Sequence, residues 1–453
     1  MANSQTFTLP QNLVRLYETL NGALAKTPYD PPEATAKISI KSELQSLLPN
    51  LDTLNSQIPS LKIRDVALCC AALASALEST TKHLSWVPNS LSTLVLSVFQ
   101  EFSDTYCHGN DNCSLEVADS ELDLRGLKNE KKLVIKLIPE VLPFLKGKIK
   151  ESAIDTSNED DRISAASASV PVAYAIVAAY QFRWFVTQVE SPHLGKLSPL
   201  VIPCALTALD HWSPEVKDQG MISFIHLAKN VNAAEIGGYT DVLLDACCQN
   251  VACDDEIWHY LVEMSVLLVT LTQRSNPRSL WFEKLLSEML NHLERQPRNK
   301  QRRTAWLTHI EPMFSALGLI LVAHFRRLFP LFFKWMHADD DDTVLLVLER
   351  IKTILKVTWI RNTPHVERLV DELVTLYKDA AMKVAREDIR SHILQVLTMI
   401  RQSKSSQFNT TWVKYKDDPN LTALQPSLTE GDAAAVQISI LHPLYFSVLS
   451  NGP

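Results

Sequence analysis

The stretch Val216-Lys-Asp-Gln-Gly220-Met-Ile-Ser-Phe224-Ile-His-Leu227 decides the fold class. Val216, Gly220, Phe224 and Leu227 stand at offsets 0, 4, 8 and 11, which places them on one face of an α-helix. The same offsets recur at Ile257, Leu261, Ser265 and Leu268, again at Ile389, Ile393, Leu397 and Ile400, and more loosely at Val344, Leu348, Ile351 and Leu355. The starts are separated by 41, 87 and 45 residues, and 87 is close to two periods of about 43, inside the 40–47 residues of HEAT and armadillo repeats. The flanks complete the unit. Leu197-Ser-Pro-Leu-Val-Ile-Pro-Cys-Ala-Leu-Thr-Ala-Leu209 predicts a first apolar helix, Asp210 to Trp212 a turn, and Ser213 and Pro214 the cap and first residue of a second helix. Phe325 to Trp335 repeats the front half, and Asp339 to Asp342 place carboxylates at the next helix's positive N-terminus. Lys217 and Arg390 hold the basic position that HEAT sequences favour after the first apolar residue. The reading is an all-α fold, an α-solenoid of HEAT/armadillo-like helical repeats.

Composition agrees. Glycine supplies only 11 of 453 residues, against a usual share of about 7%, which argues against nucleotide-binding loops, propellers and sandwiches. A net charge of −7 is too acidic for a general nucleic-acid binder. The run Val170–Val186 is interrupted by Gln181 and Arg183 and falls short of a membrane span. Met1–Gln11 lacks the pattern of a signal peptide. Eight cysteines, four in the adjacent pairs Cys69-Cys70 and Cys247-Cys248, do not form a secreted disulfide framework. A reducing compartment is expected, the cytoplasm first and the nucleus second.

Three regions are expected: 1–190, helical, with mobile loops near 107–129 and 150–169; 191–403, the repeat block; and 404–453, a tail with one apolar patch at Ile438–Leu449. In the acidic loop, Thr156 and Ser157 each have an acid three residues on, which suits an acidophilic kinase.

No phosphate loop, nucleophile elbow or His-Glu-x-x-His is present. Cys247, Cys248, Cys253 and His259 lack standard zinc spacing and read as core. Cys107, His108 and Cys113 lack a fourth partner, and His259 with Glu263 reads as a helix-face contact. No catalytic residue, metal or cofactor is expected. The basic set Arg295, Arg298, Lys300, Arg302 and Arg303, with Arg326 and Arg327, reads either as a solvated inter-helix edge or as a surface for an acidic partner. On the second reading, Arg302, Arg303, Arg326 and Arg327 border a partner interface.

From about Leu197 to Arg401 the chain resembles the Tti-two family, the second Tel-interacting protein. The resemblance rests on Arg302-Arg303-Thr304, Leu317-Gly318, Val322, His324 and Arg327-Leu328. It rests also on Leu348-Glu349-x-Ile351-Lys352 leading to Thr358-Trp359, and on Asp210 to Asn230 with Lys217, Gly220 and Asn230-Val231-x-Ala233-Ala234. The resemblance implies a non-catalytic α-solenoid subunit of the TTT complex. Its partners would be Tti-one-like and Tel-two-like subunits and, indirectly, the Hsp90 machinery and phosphatidylinositol-3-kinase-related kinases, with no nucleic acid, membrane or small-molecule substrate. The alternative is another HEAT or armadillo scaffold of the nuclear-transport or phosphatase type.

Overall fold

The structure, a computed structural model, describes residues 6–8, 11–29, 39–48, 57–108, 114–117, 120–152, 170–358 and 364–424. The chain divides into two compact units, Met1–Leu317 and Gly318–Pro453.

The first unit contains α1 (Gln11–Lys26), α2 (Ile40–Leu47), α3 (Ser60–Ser75), α4 (Asn89–His108), α5 (Asn129–Glu151), α6 (Val172–Thr187) and α7 (His193–Leu209). It continues through α8 (Pro214–Asn230), α9 (Ala233–Ile236), α10 (Thr240–Gln249), α11 (Trp258–Thr272), α12 (Leu280–Arg295), α13 (Lys300–His309) and α14 (Glu311–Leu317). Two short antiparallel ribbons accompany them, β1 (Thr6–Thr8) on β2 (Gln57–Pro59) and β3 (Ser114–Val117) on β4 (Ser120–Asp123). The second unit contains α15 (Phe325–Met336), α16 (Asp341–Thr358), α17 (Val366–Asp379), α18 (Arg386–Ser403) and α19 (Ser405–Trp412).

Packing follows a two-layer rule. Helices pack on their hairpin partners and on the next helix of their own layer: α5 on α7 and α10 on α12 in one layer, and α6 on α8, α8 on α11 and α11 on α13 in the other. In the second unit α15 lies on α17 and α17 on α19, with α16 on α18 behind them. The fold class is an α-solenoid of HEAT-like helical repeats. All four copies of the sequence period fall on second-layer helices: α8, α11, α16 and α18. Their register residues are buried, except that Leu355 is only half-buried. Gly220 is glycine because α7 comes so close: a Cβ there would sit 3.0 Å from Ala208 Cβ and 3.1 Å from the Ala205 carbonyl oxygen.

The period also appears in the polar bonding between repeats. Lys284 pairs with Asp245, 39 positions earlier, and the Trp281 indole donates to Asp241, 40 positions earlier. Lys352 donates to Gln395 at a separation of 43 and Tyr415 to Asp371 at 44. The N-terminal part is less local. There α3, with Ala67 to Leu73 all buried, packs on α6, and Gln181 Nε2 donates to the Leu68 carbonyl at 2.9 Å across 113 residues.

Several local expectations are refined. Ser213 sits at the start of α8 with Pro214 at its first position, but its side chain makes no cap bond. Asp340 caps α16 through the Thr343 N–H at 3.0 Å. The stretch 107–129, expected as loop, closes α4 with Cys107 and His108 and then forms the β3–β4 hairpin. Leu122 and Leu124 alternate into the core, a period-2 signal that overall polarity conceals. Of the tail, α19 and the residues up to Leu424 are folded, with Phe408, Leu421 and Leu424 buried. Thr156, Ser157, Trp359 and Ile438–Leu449 lie outside the described residues.

Gln181 and Arg183, which interrupt the Val170–Val186 run, are both buried. A further run, Glu311–Met336, reaches a mean hydropathy of 1.6 over an 18-residue window and passes a length-and-composition test for crossing a membrane. Half of that window is buried in the protein. Gly318, at φ +52°, and the 3₁₀ stretch Gly318–His324 divide it.

Candidate partner-binding surface

Three basic side chains tie the turns together. Lys217, early in α8, donates to the Leu209 carbonyl at 2.8 Å and to Asn250 Oδ1 at 2.7 Å. Burial lowers its pKa. Lys383 donates to the carbonyls of Ala338 at 2.6 Å and Asp339 at 3.0 Å, with Asp341 3.5 Å away.

Arg302 is the third. Its Nε lies 2.5 Å from Asp255 Oδ1, its Nη2 donates to the Cys253 carbonyl at 2.7 Å, and its guanidinium lies 5.3 Å from the centre of the Trp258 ring. Asn299 supports the site twice: Oδ1 caps the Arg302 N–H at 3.2 Å, and Nδ2 donates to Asp255 Oδ2 at 2.7 Å. The Asp255 carboxyl is held below the usual range, first by the hydrogen bond from Arg302. Arg302 is 6% exposed, so its charge is spent inside the unit.

The remaining candidates differ. Arg303 is half-buried, with Nη1 3.4 Å from the Arg298 carbonyl, while Arg295, Arg298 and Lys300 are exposed on the same α12–α13 edge. Arg326 is exposed and Arg327 half-buried on α15. The first pair thus belongs to one compact unit and the second pair to the other.

Sequence reading missed why the period skips from 257 to 344. Arg302, Trp306, Ile310 and Met313 stand at offsets 0, 4, 8 and 11, and all four are buried. They lie 45 residues after Ile257 and 42 before Val344. An arginine in the first apolar place hid the copy. Allowing one basic residue in the template reveals it.

The surface also shows exposed apolar side chains. Met382 is 91% and Val384 102% exposed, on either side of the anchored Lys383. In the first unit Val242 and Leu280 are exposed beside the Asp241–Trp281 bond.

The groups that could carry chemistry are suppressed by burial or engaged in pairs. Burial pushes the Cys247 and Cys253 thiols up to about 12 and Cys248 to about 11, which suppresses the thiolate that ligation or attack requires. Among the described residues no group of three or more His, Cys, Asp and Glu is placed to hold a metal ion. Glu263 pairs with Lys229 at 2.7 Å, and the His259 ring lies 3.8 Å from that of Tyr260, tilted by 42°. A cavity of about 20 Å³, lined by Phe325, Phe329, Ile354 and Leu369, has room for roughly one water.

Stacked helix pairs joined turn to turn offer extended surface, and the class is that of HEAT-repeat scaffold proteins. The comparisons narrow it. Uncharacterized protein At2g39910 of Arabidopsis thaliana is 51% identical over 428 residues, covering 93% of this chain and 95% of that protein. The chain belongs to the family of that protein. TELO2-interacting protein 2 of Homo sapiens is a homologue at 26% identity over 235 residues, 48% of this chain and 46% of that protein. This is the relationship that the Arg302-Arg303-Thr304 and Leu348–Trp359 stretches pointed to. The chain spans about half the length of these TELO2-interacting relatives. Among solved structures, Kap95p, from a complex with RanGDP, matches at 10% identity with a TM-score of 0.45, over 92% of this chain and 55% of that one. No protein-family model matches the chain.

Proposed function

We propose that the chain is a non-catalytic scaffold subunit of a TTT-type assembly. On this reading it holds Tti-one-like and Tel-two-like subunits and works with Hsp90 in the maturation and stability of phosphatidylinositol-3-kinase-related kinases. The observation that carries the reading is the homology to TELO2-interacting protein 2 over 235 residues. The repeat architecture supports it, since stacked helix pairs present side chains over a long surface without a catalytic cleft. The block 197–401 is the proposed partner-binding module, and the cytoplasm, then the nucleus, the proposed compartment.

Affinity capture of the tagged full chain from native extract, with mass spectrometry at low and moderate salt, tests this. Tel-two-like and Tti-one-like chains with Hsp90 components are the expected recovery. Recovery of importin cargo or a phosphatase catalytic subunit instead would replace the reading with the other scaffold class.

A further inference from the structure

Helix α8 carries a polar group that the turn ladder does not use. Asp218 is half-buried on the side of α8 that meets α6 and α11. Arg183 and Tyr180 act on it from α6, Tyr260 from α11 and Glu215 from its own helix. The other charged groups nearby are engaged: Glu215 accepts from Thr81 Oγ1 at 2.8 Å, and Glu263 of α11 is paired with Lys229. Helix α7 meets α8 two residues on, where Ala205 and Ala208 touch Gly220. Arg183 is buried, lies 5.4 Å from the centre of the Tyr180 ring and reaches Glu78, in the turn after α3, at 3.4 Å.

The decisive neighbour is Gln219. It is 2% exposed, and its Nε2 donates to Asp218 Oδ1 at 2.8 Å. Its Oε1 is buried and receives no hydrogen bond. A buried acceptor left without a donor is costly and rare. The Asp218 carboxyl, already bonded to the same amide, supplies that donor once it carries a proton. One oxygen then accepts from Nε2 while the other donates O–H to Oε1, closing a carboxyl–amide ring.

We propose that Asp218 is a protonation switch at the joint of α6, α8 and α11: protonated, it closes the ring with the Gln219 amide and leaves Arg183 to Glu78; ionised, it opens the ring and competes with Glu78 for Arg183. Burial raises the Asp218 carboxyl to about 7, against the lowering pull of the Gln219 amide and Arg183, so both forms are populated near neutrality. A raised folded-state pKa means that the stabilisation is complete below the unfolded value near 3.9, is lost progressively as pH rises from there, and is gone above the folded value.

Two measurements on the full chain decide the matter. In Asp218→Asn the amide N–H replaces the acid O–H as donor to Gln219. The variant should therefore melt with the wild type at about pH 4, exceed it increasingly from there to pH 7, by about 3 °C, and hold that lead without further gain up to pH 8.5. Differencing the two proteins cancels the histidines. A melting difference that is flat across this range overturns the proposal. Infrared spectra of the wild type at pH 6, where ordinary carboxylates are ionised, should show a protonated-carboxyl C=O band that is gone by pH 8.5. Its absence at pH 6 overturns the proposal even if the variant fails to fold.

Discussion

One joint in each compact unit fills the same structural position with opposite chemistry. In the second unit the first register place of α18 holds Ile389, fully buried, and the cation that binds the joint, Lys383, reaches in from the preceding turn to the Ala338 and Asp339 carbonyls. In the first unit α13 puts the cation into the register itself, where Arg302 meets Asp255 and the Cys253 carbonyl. One joint separates packing from polar stapling, and the other assigns both to one side chain. A separated joint loses one function at a time. A merged joint loses both and strands a carboxylate.

Truncating the two register residues tests this most severely. Ile389→Ala should cost about 3–4 kcal/mol by cavity formation, at any pH from 4 to 8. Arg302→Ala should cost the first unit about 2–3 kcal/mol. That is below the 3–5 of a fully buried pair, because the Asp255 side chain is 40% exposed and partly screened by water. Its cost should depend on pH. Asp255 has a lowered folded-state pKa, so the pair stabilises above the unfolded value near 3.9 and that contribution fades as pH falls through the folded one. Differential scanning calorimetry from pH 7 to 3 should show the gap between wild type and Arg302→Ala narrowing only below about pH 4. A pH-independent gap would mean that the Asp255 pair adds nothing and that Arg302 acts through packing and the Cys253 carbonyl, which would remove the stranded carboxylate from the contrast.

A smaller effect is expected at the separated staple. Lys383→Met keeps the stem and removes the hydrogen bonds to two carbonyls, for about 1–2 kcal/mol, read from the second unit's melting transition. A cost equal to that of Arg302→Ala would make the two joints equivalent after all.

The smallest effect on stability is expected at the exposed arginine. Arg326→Glu should change melting by less than about 0.5 kcal/mol. If the proposed partner interface borders it, capture of the Tti-one-like chain should fall, more at low than at moderate salt. Unchanged capture would remove Arg326 from the interface. The same reversal at Arg302 would report on folding instead, since that guanidinium is internal.

The sequence made most of the architecture legible because one physical constraint, an apolar face every 40–47 residues, governs it. Helices α8, α11, α16 and α18 carry that face in apolar residues, with Gly220 and Ser265 as small members. The constraint fails at α13 because a long cation snorkels within the repeat, its guanidinium on the neighbouring turn, and hydrophobicity alone cannot distinguish that from a surface arginine. The β3–β4 hairpin was hidden for a different reason, having only four residues per strand. The site was less legible than the fold. A run of arginines shows charge but not direction, and Arg302 and Arg303 are adjacent in sequence yet differ in burial.

The packing of α3 has a consequence for how the chain is made. From α10 onward a joint is completed by residues within about 50 positions. The buried run Ala67–Leu73 waits for α6, whose Gln181 bonds Leu68 from 113 residues further on. At a ribosomal rate of about 5–20 residues per second, that apolar helix lacks its α6 neighbour for roughly 6–20 seconds, covered until then mainly by α2 and α4. The N-terminal region is therefore the part of the nascent chain most exposed to misassociation, and the stage at which a holding chaperone would meet it.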